Sequence, residues 1–171
     1  MNTDKERLLK LANLEDGCPI SVGGLMLPNK ILFLDIDGVL NSAAVLERQR
    51  RGDAIDRDMV ERVNRIIDAT GCKVVISSTW RLLHPLGELK ALLRLHGMRD
   101  VVIDKTPDLD RTHNNRGDEI QAWLKQNPSV EKFVILDDDS DMSDVIGHLV
   151  QTSFKTGLQD QHVDRAIANL S

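Results

Sequence analysis

From Lys30 onward the apolar residues fall into short runs, and the spacing of those runs predicts the fold. Ile31–Ile36 is apolar except for Asp35 and is followed by Gly38, so it reads as a buried strand. Lys73–Ile76 (KVVI) and Lys132–Leu136 (KFVIL) read the same way, with a short strand at Asp100–Ile103 and an edge strand at His148–Thr152. Between them the apolar period changes to that of a helix. Asp58–Ala69 places Met59, Val63, Ile66 and Ile67 on one face and stops at Gly71. Leu86–Leu95 stops at Gly97, Gly117–Lys125 carries Ile120, Trp123 and Leu124, and Gln159–Leu170 is amphipathic. Strands apolar on both faces that alternate with helices predict an α/β, Rossmann-like, mainly parallel sheet covered by helices on both sides.

The segment before Lys30 does not share this rhythm. Residues 3–14 predict a short helix carrying Leu8, Leu11 and Ala12, and Gly17, Pro19, Gly23, Gly24 and Pro28 break the chain over 15–29. Residues 1–29 are therefore expected to be an N-terminal extension, and 30–171 the main domain. A chain of 171 residues fits one domain of the usual ~100–200 residues.

Composition narrows the function classes. With 41% hydrophobic and 29% charged residues the chain is of ordinary globular type, which excludes a disordered protein. A formal charge of −5 excludes a bulk neutraliser of nucleic acid, though not a local basic patch. Cys18 and Cys72 match no metal spacing and read as reduced thiols. The opening MNTDKERLLKLANLEDG is too charged for a signal peptide, and no apolar run approaches the ~20 residues of a membrane span. A cytoplasmic protein without a membrane partner is expected.

In parallel sheets, chemistry collects beyond the C-terminal strand ends. Here those ends read Asp35-Ile36-Asp37-Gly38, then Ser77-Ser78-Thr79-Trp80-Arg81, then Asp137-Asp138-Asp139-Ser140-Asp141. Asn115-Arg116-Gly117-Asp118-Glu119 opens a helix between the last two. Carboxylates converging from two strands repel one another unless a hard cation sits among them, and Mg²⁺ takes carboxylates, waters and phosphate oxygens. A nearby hydroxyl and guanidinium suit the remaining phosphate oxygens. The set reads as a metal-assisted phosphoryl-transfer site.

DIDGVL at Asp35–Leu40 resembles the first motif, hhhDxDGhh, of the haloacid dehalogenase (HAD) superfamily of phosphohydrolases. Ser77, Arg116 and Asp137/Asp138 follow in the order of its second, third and fourth motifs. ISSTWR, RGDEIQAWL, VILDDDSDM and the LVQT…TGL tail further resemble the HAD domain grouped with Swiss Army Knife RNA-repair proteins.

The resemblance implies a HAD-like catalytic domain over 30–171 and a role for each residue. Asp35 is the nucleophile that forms an aspartyl-phosphate, and Asp37 the general acid and base. Family ATPases carry Thr at the Asp37 position and dehalogenases lack this acid, so the resemblance implies a phosphatase. Ser77, with Ser78 or Thr79 as alternatives, binds a phosphoryl oxygen. Arg116 stands where the family often has Lys and neutralises the phosphoryl charge, with Arg111 or Arg81 as alternatives. Gly38 supplies a turn at the substrate side, and Ser78 and Arg81 are expected to contact substrate. Asp35, Asp37 through its carbonyl, Asp137 and Asp138 are the implied Mg²⁺ ligands, which Asp139 and Asp141 either join or flank as helix-start acids.

Asn41–Asp56 is too short for a cap domain, and Gly117–Lys132 holds only one helix, so an open site is expected. Such a site admits a phosphate at the end of something large, a polynucleotide or a protein, so a phosphorylated nucleic-acid end is the expected partner substrate. The missing cap weighs against the alternative, a nucleotide-like small molecule, and the acidic charge against the nucleic acid. The Glu47–Gly52 charge run with Arg57 reads as a solvated face or a landing patch for an anion. Trp80 and Trp123 are candidates to stack on a base; Trp123 sits at core spacing and reads as packing, and for Trp80 both readings stay open. The spaced DxDG on the first strand argues against a receiver domain, which places its acidic pair adjacent. The complete motif set argues against an inactive binding scaffold.

Overall fold

The computed structural model describes residues 29–49, 54–109 and 115–171. The expected 1–29 extension, but for Asn29, lies outside the described residues, as do Arg50, Arg51 and Arg111. The strands are β1 (Lys30–Leu34), β2 (Lys73–Ile76), β3 (Val102–Lys105), β4 (Lys132–Asp137) and β5 (Leu149–Gln151). The helices are α1 (Ala43–Gln49), α2 (Arg57–Thr70), α3 (Trp80–Leu83), α4 (Leu86–Leu95), α5 (Arg116–Gln126) and α6 (Asp160–Leu170), with a 3₁₀ turn at Ser143–His148.

All strand pairs are parallel, in the order β3-β2-β1-β4-β5. Alternation along β1 explains the two-sided burial. Leu32 and Leu34 face a core shared with α2, α4 and α6, while Ile31 and Phe33 face one shared with α5 and the 3₁₀ turn. The expected Rossmann-like sheet with helices on both faces is what forms, and no large cap interrupts it among the described residues. Neither is any helix of the described residues long and apolar enough to cross a membrane. Cys72 is buried and unpaired, and burial pushes its thiol pKa up.

Register carries the strand ends to one level. Leu34 pairs with Ile76 on one side and Leu136 on the other, so Asp35, Ser77 and Asp137 form the next rung. The backbone confirms it: Asp35 N–H donates to Leu136 and Ser77 N–H to Leu34.

Three differences from the sequence-based expectation have clear causes. The third strand lies at Val102–Lys105 rather than Asp100–Ile103, because polar residues at this sheet edge find partners. Asp104 accepts from the Trp123 indole at 2.7 Å, and Lys105 Nζ donates to the Arg81 carbonyl at 2.8 Å. Helix α1 occupies what reads as a loop. Ser42 Oγ accepts from Val45 N–H, and Ala43 N–H bonds the Phe154 carbonyl, so tertiary contacts hold a helix too short to persist alone. The loop after Asp141 winds into the 3₁₀ turn, whose Val145 packs on the core.

Candidate active site

Asp35 is 4% exposed at the end of β1 and accepts from Arg116 Nη1 at 3.0 Å. Burial pushes its carboxyl pKa up, against the pull of the Arg116 charge and a hydrogen bond from Ser78. Asp137, 1% exposed, is raised to about 8 by burial first and by the Asp35 charge second. Asp138 is raised as well, chiefly by burial. Asp35, Asp137 and Asp138 each offer a ligand oxygen within 4.8 Å of the others. Asp137 Oδ2 lies 3.3 Å from Arg116 Nη1 yet is buried without a hydrogen bond. Three crowded carboxylates that resist ionisation, with a buried oxygen left over, form a donor set that fits a hard divalent cation.

Arg116 opens α5, and its placement depends on the helix start. Asn115 caps the helix by accepting from Asp118 N–H, while Asp118 accepts from Asn115 N–H. Asp141 Oδ2 accepts from Arg116 N–H at 3.4 Å and its carbonyl from Gly117 N–H at 3.1 Å. Gly117 lets the two segments touch, since a Cβ there would lie 2.0 Å from the Met142 carbonyl oxygen. From this base Nη1 also donates to the Ser77 carbonyl at 2.7 Å. Burial lowers the guanidinium pKa, but Asp137, Asp35 and Asp141 raise it more. Nε is buried without a partner.

Ser77 is fully buried and its hydroxyl has no hydrogen-bond partner, whereas the neighbouring Ser78 hydroxyl is engaged with Asp35 and Trp80 N–H. Asp37 is half-buried, and both its carboxylate oxygens are taken: Oδ1 accepts from Asn41 Nδ2 and Oδ2 from Trp80 Nε1, each at 2.8 Å. Its carboxylate thus stands apart from the Asp35–Asp137–Asp138 carboxylate cluster. Gly38 has φ +74°, the turn conformation expected, and its N–H is taken by Asn41 Oδ1 at 2.9 Å. A Cβ at Gly38 would lie 2.5 Å from Asp138 Cγ, so this glycine makes room for a carboxylate.

Two expectations are corrected. Arg81 is 2% exposed and lies beneath the site rather than facing substrate. Its five N–H donors go to the carbonyls of Ser77, Ser78, Thr106 and Pro107 and to Glu119, the last at 2.5 Å. Trp80 is 9% exposed in the core and is not free to stack on a base. Asp139 and Asp141 stay outside the carboxylate cluster: Asp139 accepts from Ser140 N–H in the turn and Asp141 anchors α5. Arg48 pairs with Asp56 at 3.3 Å, beside a groove of about 400 Å³ that Arg57 and His96 share with Asp56 and Asp58. Its charges are mixed, as on a solvated face.

Sequence reasoning missed Asn41, Glu119 and Thr152. Thr152 Oγ1 donates to the Gly38 carbonyl at 2.7 Å, and Leu158 N–H to the Val39 carbonyl, so the LVQT…TGL tail braces the loop that follows Asp35.

No curated protein matches the chain. The model of one family, described as the HAD domain in Swiss Army Knife RNA repair proteins, matches residues 31–163, from the start of β1 into α6. That match takes in every strand and all the site residues above, and the chain belongs to this HAD-domain family.

Proposed function

We propose that the protein is a Mg²⁺-dependent phosphomonoesterase that works through an aspartyl-phosphate on Asp35. One observation carries the reading. Ser77 Oγ, Arg116 Nε and Asp137 Oδ2 are buried around Asp35 with no hydrogen-bond partner. Unmet buried polar groups are costly, and two donors and an anionic acceptor are what a phosphoryl group and its cation would satisfy. Phosphatase-type chemistry is also what the HAD family suggests.

Asp35, Asp137 and Asp138, with the Asp37 carbonyl, would hold Mg²⁺, which supplies neutralisation of the gathered negative charge. The Asp35 carboxylate attacks phosphorus in line with the leaving oxygen. Ser77 and Arg116 bind the non-bridging oxygens, and the Arg116 charge, already 3.0 Å from Asp35, follows the phosphoryl group onto it. Asp37 gives its proton to the leaving oxygen. In the second step it takes a proton from the attacking water, and Asp35 is released with inorganic phosphate.

For the substrate we favour a phosphorylated nucleic-acid end. The family is named for RNA repair proteins, and no large cap closes over the strand ends among the described residues. A phosphorylated nucleotide or small metabolite is the second reading, supported by the chain's net charge of −5. A buried, unpaired Cys72 suits the reducing cytoplasm where we place the protein. The test is phosphate release with and without Mg²⁺ from an aryl phosphate, from 3′- and 5′-phosphorylated oligonucleotides and from free nucleotides. Mg²⁺-dependent release, faster from oligonucleotides than from nucleotides, is expected. No release from any of them by folded protein would sink the reading.

A further inference from the structure

Asp37 acts in both proposed steps, and its carboxylate is tethered from two sides. Asn41, itself fully buried, holds Oδ1 and is locked in turn by Gly38 N–H. Trp80 holds Oδ2 through its indole N–H. A buried indole N–H needs an acceptor, and Trp123 finds one on Asp104, away from the site. Trp80, set at the start of α3 directly after Ser77-Ser78-Thr79, uses the site's own acid instead.

The consequence lies in what Asp37 does not join. It is two residues from Asp35, and its charge is felt by Asp35 and Asp138. Its carboxylate nevertheless stays out of the Asp35–Asp137–Asp138 cluster. A loose carboxylate beside a hard divalent cation tends to become a ligand, because such cations collect carboxylate oxygens. One tethered by two donors keeps a spare lone pair on each oxygen for proton transfer.

We propose that Trp80, with Asn41, is a positioning residue for proton transfer, its indole N–H holding the Asp37 carboxylate out of the metal-binding cluster and available to the leaving oxygen. The proposal rests on the phosphomonoesterase reading. It separates the duties of two carboxylates that stand two residues apart: Asp35, within the cation-binding cluster, forms the bond to phosphorus, and Asp37 moves the proton.

The test compares kcat/KM of wild type and Trp80→Phe, with Mg²⁺, on two substrates. Nitrophenyl phosphate has a leaving group that needs no proton, whereas glycerol phosphate has one that does. General acid catalysis contributes about 10²–10⁴-fold, so displacement of the acid should cost glycerol phosphate about 10–100-fold and nitrophenyl phosphate less than about threefold. Both rates come from one preparation, so their ratio does not depend on the folded fraction. Should Trp80→Phe fail to fold, benzothienylalanine placed at position 80 keeps the ring shape and removes only the N–H donor. Equal losses on both substrates would overturn the proposal and leave the phosphomonoesterase reading intact. A wild type inactive on both, and on the phosphorylated oligonucleotides and nucleotides, would instead count against that reading.

Discussion

Replacing Glu119 with glutamine keeps the shape of the side chain and removes its charge. In the protein, Glu119 and Arg81 are each 1% exposed at the side chain, and they pair at 2.5 Å between α3 and α5. Without the carboxylate, the buried Arg81 guanidinium loses its charged partner at 2.5 Å and keeps its bonds to the carbonyls of Ser77, Ser78, Thr106 and Pro107. Breaking a buried pair by removing one partner costs about 3–5 kcal/mol, and the amide's remaining hydrogen bond puts this variant near 3. With a urea m-value of about 2 kcal/mol/M, the unfolding midpoint should fall by about 1.5 M. The assay is urea denaturation followed by tryptophan fluorescence. Adding Arg81→Met, alone and combined, closes a double-mutant cycle in which the coupling should reach about 2 kcal/mol. Arg81→Met should also depress kcat more than Glu119→Gln does, because Arg81 holds the Ser77 and Ser78 carbonyls. A midpoint shift under about 0.3 M, or additive effects, would refute the reasoning.

Gly117→Ala should lower kcat at least about tenfold, since its Cβ would lie 2.0 Å from the Met142 carbonyl oxygen and must push Arg116 away from Asp35; steady-state kinetics beside a melting curve checks this. The pH dependence of the metal-free protein follows from Asp137, whose folded pKa of about 8 lies above its usual 3.8. The folded state therefore holds the proton more tightly, so stability is greatest below about pH 4 as far as this group goes and is lost as the pH rises towards 8. Melting temperatures across that window should fall with pH, Mg²⁺ should restore more at pH 8 than at pH 6, and Asp137→Asn should flatten the slope. Thr152→Val should cost about 1–2 kcal/mol by orphaning the buried Gly38 carbonyl, measurable by chemical denaturation.

Much of the site was legible because it is built from strand ends. Apolar runs locate β1, β2 and β4, and the parallel register then carries Asp35, Ser77 and Asp137 to one level without further information. The partners of those residues were not legible. Arg81 reads as a free cation beside the second motif, yet five acceptors from three segments close over it. Whether a charge faces solvent or core is decided by tertiary contacts that local spacing does not encode. The same holds for Trp80, whose indole looks available for stacking until Asp37, from another strand end, is brought to 2.8 Å. Helix α1 was missed because seven residues carry too weak a period, and the bond from Ala43 to Phe154 that steadies it spans most of the chain.

The central claim is that Asp35 itself carries the phosphoryl group. Protein mixed with Mg²⁺ and an aryl phosphate, quenched in acid and digested, should yield a peptide containing Asp35 that is heavier by one phosphoryl group. Asp37→Asn should increase that fraction by slowing attack of water, and Asp35→Asn should abolish both the adduct and phosphate release. Phosphate release that survives Asp35→Asn undiminished, with no phosphorylated peptide at any quench time, would contradict the account.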